Sequence, residues 1–430
     1  NGVKHLSRRP LAFIYNGGPG SSSIWLHMGA FGPRRVVTSD GEATPPPPYK
    51  LVDNASSLLD RADLVFVDPV GTGFSRSLGD HKDAEFWGID QDVRSLAEFI
   101  TTYISRNGRW NSPRYLIGES YGTTRSAALV HHLQSHDGMD FNGVVLISMI
   151  LDFRTAVFVP GNDLPYALYL PSYAATAYYH GVLEDHPADL DDFLKEVRQF
   201  ALGEYTEALE KGDRLDPAIR ASIARRMSRY TGLSQDYLAK ANLRVKLSQF
   251  MKELQRDRKL ITGRLDARFT GPSGNLLGEN ADYDPMMPAI RGAFTATFNS
   301  YLRGELKFGG DRRYKTSSDG AGGKWDWKRQ NRGRGGGFNI PSLPTVAPDL
   351  ARAMTANRHL KIQVENGLFD QATPFFAAEY TMDHLGLPEE LQRNIQMKYY
   401  RSGHMMYLHE ASLIRLKNNV AAFMDETSGN

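Results

Sequence analysis

The run Tyr115-Leu116-Ile117-Gly118-Glu119-Ser120-Tyr121-Gly122 constrains this chain more than any other. A short apolar segment leads into it, and Thr123 to Gln134 reads as a helix after it. A serine flanked by glycines between a strand and a helix fits a turn too tight for neighbouring side chains. Such a turn pushes the hydroxyl out of the sheet edge and aims the next backbone N–H at the same point. Ser120 is therefore a candidate nucleophile.

The rest of the chain is consistent with the layering this turn needs. Leu11–Tyr15, Leu64–Val67 and Val144–Ile150 are short and almost wholly apolar, and His359–Val364 and Ile395–Tyr400 also read as strands. Asp90–Arg106, Pro374–Leu385 and Ala411–Met424 read as helices, the first with Ile89, Val93, Leu96, Ile100 and Tyr103 at helical spacing. Apolar strands alternating with helices predict an α/β fold with a mostly parallel central sheet covered on both faces. The pattern breaks from about 153 to 340, where Leu190–Leu209, Pro217–Arg229 and Ser234–Asp257 look helical and charged. We read 1–152 and 341–430 as the core and 153–340 as a mainly helical cap insertion. Within it, 309–338 is rich in Gly, Lys and Arg and is expected to be a mobile loop. Few aromatic residues lie there to stack bases, so no nucleic-acid partner is expected.

Bulk properties exclude more than they assign. A net charge of +2 gives no reason to expect a polyanion partner. The absence of cysteine removes disulfides, thiolate metal sites and cysteine nucleophiles. No run of about 20 apolar residues is present, so no membrane span is expected. No cofactor or metal is expected either; the Asn16–Gly20 loop lacks the Gly-Lys-Ser/Thr end of a phosphate loop. The chain starts at Asn1-Gly2 and enters a strand-like run by Leu11. A trimmed start is expected, with any signal peptide not visible. A secreted or periplasmic location is the expectation, and a cytoplasmic one stays open.

A serine hydroxyl is a poor nucleophile until a base removes its proton. That base is a histidine held by a carboxylate on its far nitrogen, and in this fold class the chain order is serine, acid, histidine. Asp370 follows one late strand and His404 the next, so Ser120, Asp370 and His404 are the predicted triad. Glu365 is the alternative acid. His384 and His409 are the alternative bases, and His27, His81, His131, His132 and His136 come too early in the chain. A developing oxyanion needs two backbone N–H donors. One is assigned to Tyr121, the other to the Gly17-Gly18 pair.

Four segments together resemble the serine carboxypeptidase family: Asn16-Gly17-Gly18-Pro19-Gly20-Ser21-Ser22, Asp68-Pro69-Val70-Gly71-Thr72-Gly73-Phe74-Ser75, Gly118–Gly122 and Gly403-His404-Met405. The resemblance covers about residues 10–150 and 355–425. It implies an α/β-hydrolase fold and a peptide substrate shortened from its C-terminus through an acyl-enzyme. It also implies that Asn16, Gly17 and Glu119 hold the substrate's terminal carboxylate and that Gly18 and Tyr121 form the oxyanion hole. Met405, next to the candidate base, is expected to touch the leaving residue. One position departs from the family pattern. A second glutamate is expected fourteen residues past Asn16, but that position is Ala30. Two close carboxylates share a proton and stay partly neutral, whereas a lone Glu119 is less able to do so. A weaker acid preference follows. Tyr166, Tyr169, Tyr173 and Tyr178 are candidates for lining the pocket or for packing the cap. An esterase, an acyltransferase and a prolyl-aminopeptidase-like hydrolase remain open on the same scaffold. A lyase and a non-catalytic binding protein are further from the motifs.

Overall fold

Six of the strands pair side by side into one sheet. They are β1 (Leu11–Tyr15), β2 (Asp63–Phe66), β3 (Arg114–Glu119), β4 (Gly143–Ile147), β5 (Lys361–Gly367) and β6 (Ile395–Tyr400). The spatial order is β6-β5-β4-β3-β1-β2 and every neighbouring pair is parallel. This is a computed structural model describing residues 6–318, 320–329 and 343–429. The helices that position the site are α1 (Ile89–Arg106), α2 (Tyr121–Asp137), α3 (Leu164–Tyr179), α4 (Met286–Ser300), α5 (Ala347–Ala356), α6 (Phe375–Asp383) and α7 (Glu410–Thr427).

Side chains alternate across the pleat, and both faces are covered. Leu11, Phe13, Leu116, Val144 and Leu146 pack with Val93 and Ile100 of α1 and with Leu350 and Met354 of α5. Ala12, Ile14, Ile117, Val145 and Ile147 pack on the other face with Phe294 of α4 and with Leu413 and Val420 of α7. The inner strands therefore read as continuous apolar runs, whereas the edge strands β2 and β6 are mostly half-buried. The architecture is the α/β-hydrolase one that the alternation and motifs predict.

Register sets the site. Gly118 pairs with Tyr15, Glu119 with Ile147, Ile147 with Glu365, and Gly367 with Tyr400. The carboxyl ends of β1, β3, β5 and β6 thus fall at one edge, and the loops after them meet there.

Between β4 and β5 the chain forms helices and one small hairpin, Leu260–Thr262 with Thr270–Pro272. Their three-residue strands are too short to show a pattern in sequence. α3 packs with helices Leu190–Phe200 and Pro217–Thr231, and with Phe375 and Phe376 of α6, in a third hydrophobic cluster. The helix expected over 234–257 is instead two, Gln235–Lys240 and Leu247–Glu253. Asn242 and Leu243 take positive φ between them, and that turn drops Leu243 and Val245 into the cluster. Ile150 lies outside its predicted strand, because Ser148 turns the chain at φ 53. Parts of the Gly/Lys/Arg-rich stretch are tied down rather than loose. Lys315 bridges Gly73, Ser317 bridges Ser21, and Ala321 and Trp325 are buried. Arg329 pairs with Asp90 and Asp349. Residues 319 and 330–338 of that stretch lie outside the described residues.

Truncating the inner sheet tests this packing. Leu146→Ala is expected to lower stability by roughly 2–5 kcal/mol, through lost contact and the cavity left behind. Leu277→Ala, at a fully exposed site, is expected to stay within about 0.5 kcal/mol. Thermal midpoints of the two variants compare them directly.

Candidate active site

Ser120 sits between β3 and α2 with φ 59 and ψ −129. A non-glycine residue there carries on the order of 1–3 kcal/mol of strain that its surroundings must offset. Its N–H donates to Ile147 O at 2.9 Å, and its carbonyl accepts from Thr123 N at 2.8 Å. No other residue fits at Gly118, where a Cβ would fall 2.3 Å from Gly122 O. The loop after β1 closes on the same turn: a Cβ on Gly17 would lie 2.4 Å from Tyr121 N. Gly17 therefore runs directly against the amides that open α2, while Gly18, at φ 104, turns the loop back on Gly20 and Ser21.

Arg125 braces this junction from below. It is wholly buried and donates to Asp92 at 2.7 Å and to the Asn16 carbonyl at 2.8 Å. Its guanidinium lies over the rings of Tyr15 and Tyr121, at 5.1 and 5.3 Å. One side chain thus links α1, the loop after β1 and α2.

The loops after β5 and β6 bring Asp370 and His404 together. His404 Nδ1 and Asp370 Oδ2 are 2.7 Å apart, and both residues are buried. Asp370 is held in turn by the N–H groups of Ala372 and Thr373 and by the Thr373 hydroxyl, at 2.8, 3.0 and 2.7 Å. Burial disfavours the charged imidazole, but the facing Asp370 carboxylate outweighs it by charge and hydrogen bond, and the His404 pKa stands above its ordinary value. The turn of the small hairpin, between its two strands, supports both loops. His404 N donates to Leu265 O at 2.7 Å, Gln371 N to Arg264 O at 3.0 Å, and Gly403 N to Asp266 Oδ2 at 3.2 Å. Asp266 is buried and paired with Arg268 at 2.7 Å.

Ser120 and His404 line one cleft with about 220 Å³ of room, together with Asn16, Gly17, Gly18, Glu119 and Met405. No hydrogen bond joins the Ser120 hydroxyl to the imidazole in this arrangement, a contact that often tightens only with substrate bound. Glu119 closes the floor of the cleft. Its Oε1 accepts from Asn16 Nδ2 at 2.8 Å, and its Oε2 is buried with no partner among the described residues. The Tyr407 hydroxyl lies against the same carboxyl, short of a well-formed hydrogen bond, and its ring packs on Gly29, beside Ala30. Burial pushes Glu119 above the usual carboxylate range, against the pull of His404, Tyr407 and Asn16. The loss of a second acid at Ala30 therefore does not return Glu119 to ordinary titration, because burial disfavours its charge unaided.

The alternative residues are engaged elsewhere. Glu365 is buried within β5, accepts from Tyr400 at 2.6 Å and is pushed up to about 7 by burial. His27 stacks on Phe66 at 4.2 Å, and burial pushes it down to about 4. His384 bonds the Tyr380 carbonyl and His409 the Ser412 hydroxyl. His81 faces Glu85 at an exposed site. His132 and His136 stack on each other on α2, and His131 lies on the same helix. Of the four candidate tyrosines, Tyr169 lines an apolar hollow of about 610 Å³ with Ile150, Phe153, Met251, Arg264 and Ala372. Tyr173 stacks on Phe250, Tyr166 packs against Phe158, and Tyr178 leans on His186. Sequence reasoning missed Arg125, Arg264, Arg291 and Tyr407; only Arg125, a charge inside an apolar helix face, left a signal. Among the described residues no group of three His, Asp or Glu is placed to hold a metal ion.

The family model described as serine carboxypeptidase matches residues 3–253, more than half of the chain. The chain is 28% identical over 193 residues to the pheromone-processing carboxypeptidase KEX1 of Yarrowia lipolytica, covering 44% of this chain and 28% of that protein. It is 29% identical over 132 residues to serine carboxypeptidase-like 9 of Arabidopsis thaliana, covering 30% of this chain and 29% of that protein. The match thus spans less than a third of the length of these curated relatives. Among solved structures, a proline iminopeptidase of Mycobacterium smegmatis aligns over 99% of this chain and 91% of its own, at 14% identity and a TM-score of 0.37. A likeness that slight says nothing about the reaction.

The Asp370–His404 contact makes a measurable claim. Because the carboxylate stabilises the charged ring, Asp370→Asn is expected to lower the His404 titration midpoint relative to the parent protein. Nuclear magnetic resonance of ring-labelled histidine reads the midpoint; an unchanged value would mean that the carboxylate does not act on the ring.

Proposed function

The chain belongs to the serine carboxypeptidase family, and on that premise we propose that it releases C-terminal residues from peptides through a covalent acyl-enzyme. The observation that carries this reading is the closed floor of the cleft. Next to the candidate nucleophile, the buried Glu119 carboxyl lies between the Asn16 amide and the Tyr407 hydroxyl. A peptide seated with its last residue over that floor directs its terminal carboxylate to Asn16, Gly17 and Glu119. An open-ended site would leave room there for further chain.

In the proposed reaction Ser120 Oγ bonds to the carbonyl carbon of the last peptide link as His404 takes its proton. Asp370 holds the other ring nitrogen and offsets the imidazolium charge. The negative charge on the carbonyl oxygen is met by the Gly18 and Tyr121 N–H groups, each worth several kcal/mol of barrier. The carbon–nitrogen bond then breaks, His404 hands its proton to the leaving amine, and the last residue departs past Met405. Water, deprotonated by the same imidazole, hydrolyses the Ser120 ester. Residues 153–340 act in this reading as the insertion that covers the cleft.

End-blocked peptides test the assignment. Amidation of the C-terminus is expected to abolish cleavage while N-acetylation leaves it intact; the opposite pattern is that of an aminopeptidase. Ser120→Ala is expected to lower kcat by about 10³-fold or more and to abolish labelling by a fluorophosphonate.

The pH profile gives a second check. His404 must be neutral to accept a proton, and its pKa is raised. kcat/KM is therefore expected to rise with pH along a limb lying above the ordinary imidazole value of about 6.5. A sharp optimum near about pH 4 to 5, the range of ordinary carboxylates, would contradict this.

A further inference from the structure

We propose that the cleft selects peptides whose leaving residue is acidic, Asp or Glu, with Arg264 and Arg291 as the groups that meet its side chain. This inference rests on the carboxypeptidase reading and names its substrate class.

The charged and titratable groups lining the cleft are Glu119, His404, Arg264 and Arg291. Against the two guanidiniums Glu119 brings a single carboxyl. No other carboxylate lines the space, so the cleft presents net positive charge. The two arginines also differ from other arginines of the molecule. Arg125 is paired with Asp92, Arg268 with Asp266 and Asp40, and Arg244 with Asp163. Arg198 is paired with Glu379 and Arg329 with Asp349. Neither Arg264 nor Arg291 makes an ion pair or a side-chain hydrogen bond among the described residues. A guanidinium beside a cleft with no acidic partner of its own is suited to an incoming carboxylate, which it can hold through two parallel N–H bonds.

Their positions come from fixed backbone. Arg264 N donates to Asp284 Oδ1 at 3.2 Å, and the Arg264 carbonyl accepts from Gln371, next to Asp370 in sequence. Its charge reaches His404. Arg291 lies on α4, one turn after Met287, so both project from the same helix face into the cleft. Ile290 and Phe294 bury the adjacent face against the sheet and fix the helix. Arg291 and Met287 share the cleft with Asn16, Gly17 and Met405, the side on which the leaving residue sits in the proposed reaction. A terminal glutamate there places one carboxylate on the Glu119 floor and offers the second to the arginines.

The test uses benzyloxycarbonyl-Phe-Glu, -Phe-Leu and -Phe-Lys, assayed for release of the last residue by the parent protein and by Arg264→Gln, Arg291→Gln and the double variant. The parent protein is expected to release Glu with kcat/KM roughly three- to tenfold above Leu, and Lys slowest, as partly screened ion pairs allow. The Glu/Leu ratio is expected to fall with added salt and to approach one in the double variant. Fluorophosphonate labelling of Ser120 in each variant checks that the site is intact. Release of Leu at or above Glu by the parent protein overturns this inference and leaves the carboxypeptidase reading standing. So does a Glu/Leu ratio that survives in a labelled double variant. Release of none of the three, with a simple ester still hydrolysed, overturns both.

Discussion

The backbone at Ser120 is the constraint on which the rest of the molecule depends. A serine at φ 59 between a strand and a helix is stable only where the surrounding chain leaves no alternative. That enclosure comes from four directions. β4 accepts the Ser120 N–H, Gly118 lets β3 pass close under Gly122, Gly17 presses on the first amide of α2, and Arg125 locks α2 to the Asn16 carbonyl. Arg125 and Asp92 are both buried, and removing one of such a pair strands the other's charge at a cost of about 3–5 kcal/mol. The pair therefore makes the junction all-or-none. A loosened elbow would leave two buried ions unsatisfied as well as a displaced hydroxyl.

The inserted region is part of the same construction. Residues 264–266 lie between β4 and β5 in sequence, yet their backbone and side chains hold the Asp370 and His404 loops. Asp266 bonds the Gly403 amide and is itself neutralised by Arg268, which also reaches Asp40 and the Ser402 hydroxyl. Arg264 and Leu265 of the same turn also line the cleft, so one short segment both borders that space and holds the His404 loop.

Much of this was open to reading from the chain. β1 and β6 begin and end where their apolar runs do, and Ser120, Asp370 and His404 follow from strand ends in the order Ser, Asp, His. Such features are local, set by which residues tolerate a buried strand or a tight turn. The break at Asn242-Leu243 was not legible, because a helix continues through such residues unless a distant cluster rewards burying Leu243 and Val245. Tyr407 was not legible for the same reason. It follows the histidine motif by three residues, and nothing local indicates that its hydroxyl meets Glu119 from across the sheet edge. Ala30 is plain in the sequence, but how Glu119 titrates turns on burial, which no residue near it in the chain discloses.

Residue order alone carries the layered α/β fold, the elbow, the order of the three polar side chains and the family, since each rests on periodicity, on turn chemistry or on short motifs. The electrostatics came from tertiary packing alone: which carboxyl burial holds above its usual range, which arginines are consumed in ion pairs and which two face the cleft free of them. Charge interactions depend on distance and desolvation between segments far apart in the chain, and neither quantity is written in residue order.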